Sequence, residues 1–221
     1  ILQLLLVHVP LLIALIAADM ISGEANMGTL RILLTKPQSR TAIVMAKFIA
    51  SVIYTLLLLI WIAIMGLFLS MLIFGTDDLF LMKSSYVVIV KESDVFWRYA
   101  GAFCFAALAM VTVAALGFFL SFFAENSIGP IVATMSVIIV CTILSTMNIP
   151  LFNLIKPYLF TTHMITWKEF FDFKVNDANE AIIGSIQYPD KIIRSATVLA
   201  IHIVLFVGSA VWLFRKKDIL S

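Results

Sequence analysis

The chain has 221 residues, 62% of them hydrophobic and 13% charged, with a mean hydropathy of +1.09, whereas soluble domains keep about a quarter of their residues charged. That balance excludes an ordinary soluble core, intrinsic disorder, a collagen and a disulfide scaffold. A formal net charge of +2, from 15 Lys+Arg against 13 Asp+Glu, excludes a nucleic-acid surface built on phosphate neutralisation.

A helix rises about 1.5 Å per residue and the hydrocarbon core of a bilayer is about 30 Å thick, so roughly 20 apolar residues make one crossing. Five segments meet this length, at about 1–20, 42–74, 99–123, 128–149 and 192–214. Alternating ten-residue segments of a membrane barrel are missing, and a helix satisfies its own amides in hydrocarbon, so the expected fold is an all-α integral membrane bundle of five transmembrane helices in one domain. The first segment opens on Ile1 without a basic leader region and reads as a spanning helix of a chain whose natural start lies upstream. His8 precedes Pro10 in this helix, and with His202 in the last it is a candidate for lining a pathway. Asp19 falls at the inner end of the first helix.

The third helix carries Gly101, Ala102, Ala106, Ala107, Ala109, Ala114, Ala115, Gly117 and Ser121. Small residues let helix backbones approach closely, which places this helix at the centre of the bundle. Cys104 and Cys141 lie in apolar runs and act as small packing residues. Lys and Arg near helix ends mark the cytoplasmic side. The connection at 22–41 and the tail, with Arg215, Lys216 and Lys217, are therefore cytoplasmic, and the mixed, acidic connections 75–98 and 150–191 face outward. The short turn 124–127, with Glu125, falls inside by alternation.

The stretch from Ser22 to Lys47 is too apolar for a solvated turn and too polar to cross. Met27, Leu30, Leu33 and Leu34 recur at helical spacing, with Thr29, Arg31, Thr35 and Lys36 around the remaining circumference. This predicts a short amphipathic helix with Glu24 near its start, Lys36 near its end and Pro37 stopping it. Ser39 is placed to cap the next helix. Such a helix either plugs a groove on a soluble partner or lies in the membrane interface.

The order Glu24, Gly28-Thr29-Leu30, Leu33-Leu34, Pro37, Ser39-Arg40 and Lys47, together with the tail Phe214-Arg215-Lys216-Lys217-Asp218-Ile219-Leu220, resembles the ABC type-2 permease family. The resemblance implies helices two to six of a six-helix permease, with the first helix missing. It implies a second permease subunit, as homodimer or heterodimer, and two cytoplasmic ATPase subunits that bind ATP and Mg. It also implies export across the bacterial inner membrane, with a cytoplasmic C-terminus. The family's coupling helix maps onto 26–34, so Glu24, Met27, Gly28, Thr29, Leu30, Arg31, Leu33, Leu34, Pro37 and Arg40 become the expected ATPase-coupling residues, with Glu125 as a second contact. Outward segments of the family re-enter the outer leaflet as short helices, a role open to 151–167, where Pro150 and Pro157 break the chain.

The chain has no Gly-Lys dipeptide and hence no P-loop. It has no zincin motif, nucleophile elbow or paired-cysteine metal spacing, so no cofactor or metal is expected on this chain and it is not expected to be an enzyme. Two other classes compete with the permease. One is a membrane-embedded enzyme using His8, Asp19 or His202; the other is an anchor that recruits periplasmic partners through the outward connections. The few polar residues within the helices point to an apolar or amphipathic cargo.

Overall fold

In the computed structural model, residues 2–29, 37–75, 79–82, 87–174, 182 and 184–216 are described. Helix α1 spans Leu2–Asn26 and runs on through Pro10. Helix α2 spans Arg40–Phe74, and Ser39 caps it as expected, its Oγ accepting from the Ala42 amide at 3.2 Å. A hairpin follows in the first outward connection, β1 (Leu79–Met82) antiparallel to β2 (Val87–Val90) with Leu79 opposite Val90. This small sheet is an addition to the all-helical expectation. Helix α3 spans Glu92–Leu120 and closes in a 3₁₀ turn, Ser121–Phe123. Helix α4 spans Ile128–Thr146.

The second outward connection is built from short pieces: α5 (Pro150–Asn153), a 3₁₀ turn at Lys156–Tyr158, α6 (Phe160–Met164) and a 3₁₀ run at Ile165–Phe171. Helix α7 spans Pro189–Lys216. Pro189 stands at its first position, where its missing N–H costs nothing.

Among the described residues, five helices are long and apolar enough to cross a membrane, as expected for a multi-pass membrane protein. Their limits differ from the hydropathy reading in two informative places. Helix α3 begins at Glu92 rather than near 99, because Asp94 and Arg98 neutralise one another within its first turns. Helix α1 continues to Asn26, which takes Glu24 into its last turn. Helix α2, at 35 residues, extends roughly 50 Å and exceeds the hydrocarbon thickness.

Helix α3 is the axis, packed by α1, α2, α4 and α7. One half of the core joins Val9, Ile13 and Ala17 of α1 with Leu59 of α2, Phe105 and Val113 of α3, Ile138 of α4 and Leu199 of α7. The other half joins Ile21, Val44, Phe48, Phe118, Phe122 and Phe214. Three helices meet at Gly117, where an added Cβ would lie in contact with the Ala18 amide nitrogen at 3.4 Å and with Thr134 Oγ1 at 3.5 Å. The buried hydroxyls of Ser22, Thr55, Thr112 and Thr134 each donate to the carbonyl four residues back. They are thereby satisfied within their own helices, as hydrocarbon requires. The outer faces carry exposed Leu57, Trp61 and Phe68 on α2 and Val204, Leu205 and Trp212 on α7, a surface suited to lipid.

Candidate functional site

At one end of the bundle α1 stops, α2 starts, the α3–α4 turn passes and α7 finishes. Helix α1 ends through Met27 N–H to the Gly23 carbonyl (3.0 Å) and Gly28 N–H to the Ala25 carbonyl (3.1 Å). Gly28 then takes φ +71°, a conformation that glycine adopts without Cβ strain. Glu24 therefore does not open a separate helix, as its sequence position suggested; it sits in the last turn of α1, where the helix dipole disfavours an anion. Lys47 compensates by donating Nζ to Glu24 Oε1, which ties α1 to the second turn of α2.

Arg40, the first residue of α2, turns inward. Its Nη1 donates to the carbonyls of Phe214 and Arg215 at 3.4 Å each, placing a cation on the negative end of α7. Arg215 answers with Nε to Thr41 Oγ1 at 3.1 Å. The ends of α1 and α2 that flank the loop are thus tied to one another and to the end of α7. Met27 is 70% exposed, and Gly28, Thr29 and Pro37 are exposed with it. Leu30, Arg31, Leu33 and Leu34 lie outside the described residues.

Beside this loop, Ala25 and Asn26 of α1 face Ala124, Glu125, Asn126 and Gly129 across a recess of about 590 Å³. Asn126 Oδ1 accepts from the Gly129 amide at 3.0 Å and shapes the start of α4. The fold therefore brings the Glu24 region and Glu125 to one end, as the sequence anticipated. It does not bring His8 or His202 there. His8 is exposed on α1. His202 is half-buried, its Nδ1 donating to the Val198 carbonyl and its ring against Phe160 and Phe206. Among the described residues, no group of three or more His, Cys, Asp or Glu could hold a metal.

The opposite end holds what the sequence reading missed. Arg98, 0% exposed, donates to Asp94 Oδ2, to the Phe170 carbonyl at 2.7 Å and to the Ser185 carbonyl at 2.8 Å. Its guanidinium lies against the rings of Trp97 and Phe173, 4.5 and 4.3 Å from their centroids. A second tether joins α6 to α7. His163 Nε2 donates to the Pro157 carbonyl and Nδ1 is hydrogen-bonded to the Ser195 hydroxyl, both at 2.9 Å, and Thr166 donates to Ser195 in turn. Ser195 is buried, so the bond lies within the protein between α6 and α7. The signals were present: Asp94 and Arg98 stand at i, i+4, and the charge-balance reading of 75–98 as a loop concealed them.

Residues 1–220 match a family model described as "Protein of unknown function (DUF2705)". The chain is similar to "Uncharacterized protein YhcI" of Bacillus subtilis (strain 168), at 26% identity over 211 residues that cover 93% of this chain and 63% of the relative. The chain thus spans under two thirds of that relative's length. No solved structure matches. Matched over nearly its whole length, the protein belongs to the DUF2705 family.

Proposed function

We propose that this chain is the transmembrane permease subunit of an ATP-binding-cassette exporter in the bacterial inner membrane, coupling ATP hydrolysis by separate subunits to movement of a cargo. On this reading the Arg40 end faces the cytoplasm, where the excess of Lys and Arg belongs. Two ATPase subunits holding ATP and Mg dock on the loop after α1, and a second permease subunit completes the pathway. The observation that carries the reading is mechanical: the two helix ends that flank the loop are joined to one another through Glu24–Lys47 and to α7 through Arg40. A push on Met27 and its neighbours is delivered to three helices at once. Glu125, across the recess, supplies the second contact.

The test is gentle solubilisation of native membranes with the full chain. A soluble subunit bearing a P-loop is expected to accompany it and to be released by Leu30→Asp with Leu33→Asp. A complex that contains no such subunit, or one indifferent to both substitutions, overturns the reading.

A further inference from the structure

Helix α7 is bonded to its neighbours at both of its ends. It runs from Pro189 to Lys216 without an internal proline, so its 28 residues make one rod roughly 42 Å long. At one end Arg40 holds the carbonyls of Phe214 and Arg215, and the Phe214 ring packs edge-on against Phe122 with centroids 5.6 Å apart. Midway, Phe206 stacks on Phe119 of α3 at 6.1 Å between centroids. At the far end Ser195 is hydrogen-bonded to His163 and Thr166, and Lys191 donates to Glu169 Oε1. The second outward connection is fixed to α3 as well. Arg98 holds the carbonyls of Phe170 and Ser185, the Phe170 ring occupies the slot that Gly101 leaves, and Tyr99 meets Phe171 edge-on at 5.1 Å.

Two packed helices joined at one level are free to tilt or slide past one another, whereas helices joined at three levels move together. We propose that α7, α3 and the connection at 150–174 form one rigid body, so that a displacement of α7 at its Arg40 end displaces the outward connection by the same amount on the opposite side of the membrane. A lid hinged on the bundle would be bonded along one edge. This segment is bonded along two, to α3 through Arg98 and Gly101 and to α7 through Ser195 and Lys191. The warrant is a continuous chain of hydrogen bonds and packed rings between the two ends, each link of it a named contact. The source of the displacement rests on the export reading; the rigidity of the body does not.

The test uses the full chain in lipid nanodiscs, with Cys104 and Cys141 replaced by serine. Spin labels at Tyr158→Cys, on the outward connection, and Trp212→Cys, near the Arg40 end of α7, span the body; both positions are exposed. Electron–electron resonance should return one narrow distance, unchanged when nucleotide is added to the chain and its partners. A split or broad distribution, or a distance that shifts with nucleotide, overturns the proposal. A covalent test follows from Thr166 Oγ1 and Ser195 Oγ, 3.1 Å apart: Thr166→Cys with Ser195→Cys places two sulfurs within reach of a disulfide. Nucleotide hydrolysis by the complex should agree within about twofold between the oxidised and reduced forms of this one variant, a comparison that misfolding does not disturb. A larger fall that reductant reverses, or cysteines that do not close under oxidant, overturns the proposal. The two readings fail separately. A chain without a P-loop partner removes the export reading and leaves the width of the Tyr158–Trp212 distance to decide the rigid body, whereas a P-loop partner whose hydrolysis the disulfide stops removes the rigid body alone.

Discussion

Arg98 and Asp94 stand one helical turn apart on α3, with Arg98 Nε and Nη2 at 2.9 and 2.8 Å from the same carboxylate oxygen, Asp94 Oδ2. Trp97 donates Nε1 to the other oxygen at 2.5 Å. The guanidinium's remaining donors reach the carbonyls of Phe170 and Ser185, so one side chain binds the second outward connection at two points to the central helix.

Removing this cation leaves a buried carboxylate and two carbonyls without their donor. Arg98→Ala should therefore cost about 3 to 5 kcal/mol. The expected readout is a lowered unfolding midpoint in detergent, with faster proteolysis between Asp172 and Ser185. Arg98→Lys should rescue only in part, since an ammonium keeps the charge but not the planar set of donors that reaches three partners.

The bundle itself was legible because its cause is composition. Charge-free runs of the right length have one stable form in hydrocarbon, and the small residues of α3 marked the helix that packs on every side. Ser39 was legible as a cap because its reach is local. The partners of Arg98 were not, since they lie 72 and 87 residues away and both are reached only after the chain has crossed twice more. Glu24 was read with the wrong helix for a related reason. Nothing in the local pattern reveals that Lys47, on the next helix, offsets an anion at the end of α1.

The Glu24–Lys47 pair is about three-quarters buried, so it lies between the exposed and the fully buried cases. A double-mutant cycle of Glu24→Gln and Lys47→Met should return a coupling of about 1 kcal/mol. Each single change should cost more than the double, because each strands one charge. The charge-reversed pair Glu24→Lys with Lys47→Glu should recover most of the stability. It should also place the cation at the C-terminal end of α1, where the dipole favours it.

His163 and Ser195 should behave as one unit. Ser195→Ala removes the hydroxyl that bonds Nδ1 and accepts from Thr166, and His163→Ala removes the link to Pro157. Each should cost about 1 to 3 kcal/mol, as expected for stranding a buried polar partner. The double variant should fall short of the sum. Hydrogen exchange at residues 160–166 should rise in either single variant while that of α3 stays protected, which localises the tether to the α6–α7 contact.

Two glycines of α3 make opposite predictions for the same substitution. At Gly117 an added Cβ would meet its nearest neighbours at 3.4 to 3.5 Å, ordinary contact, so Gly117→Ala should be tolerated and should recover helix propensity worth about 1 kcal/mol. At Gly101 the same methyl would come within 2.5 Å of the Phe170 ring, and Phe170 is the residue whose carbonyl accepts from Arg98. The ring cannot withdraw freely, because it also packs near Phe105, with centroids 6.4 Å apart. Gly101→Ala should therefore lift the 3₁₀ run off α3 and weaken the Arg98 bond as well as the packing. A pair of unfolding midpoints, raised or unchanged for Gly117→Ala and lowered for Gly101→Ala, checks the contrast. Combining Gly101→Ala with Phe170→Leu should recover part of the loss, since the smaller side chain yields the space while leaving the 170 carbonyl in place for Arg98.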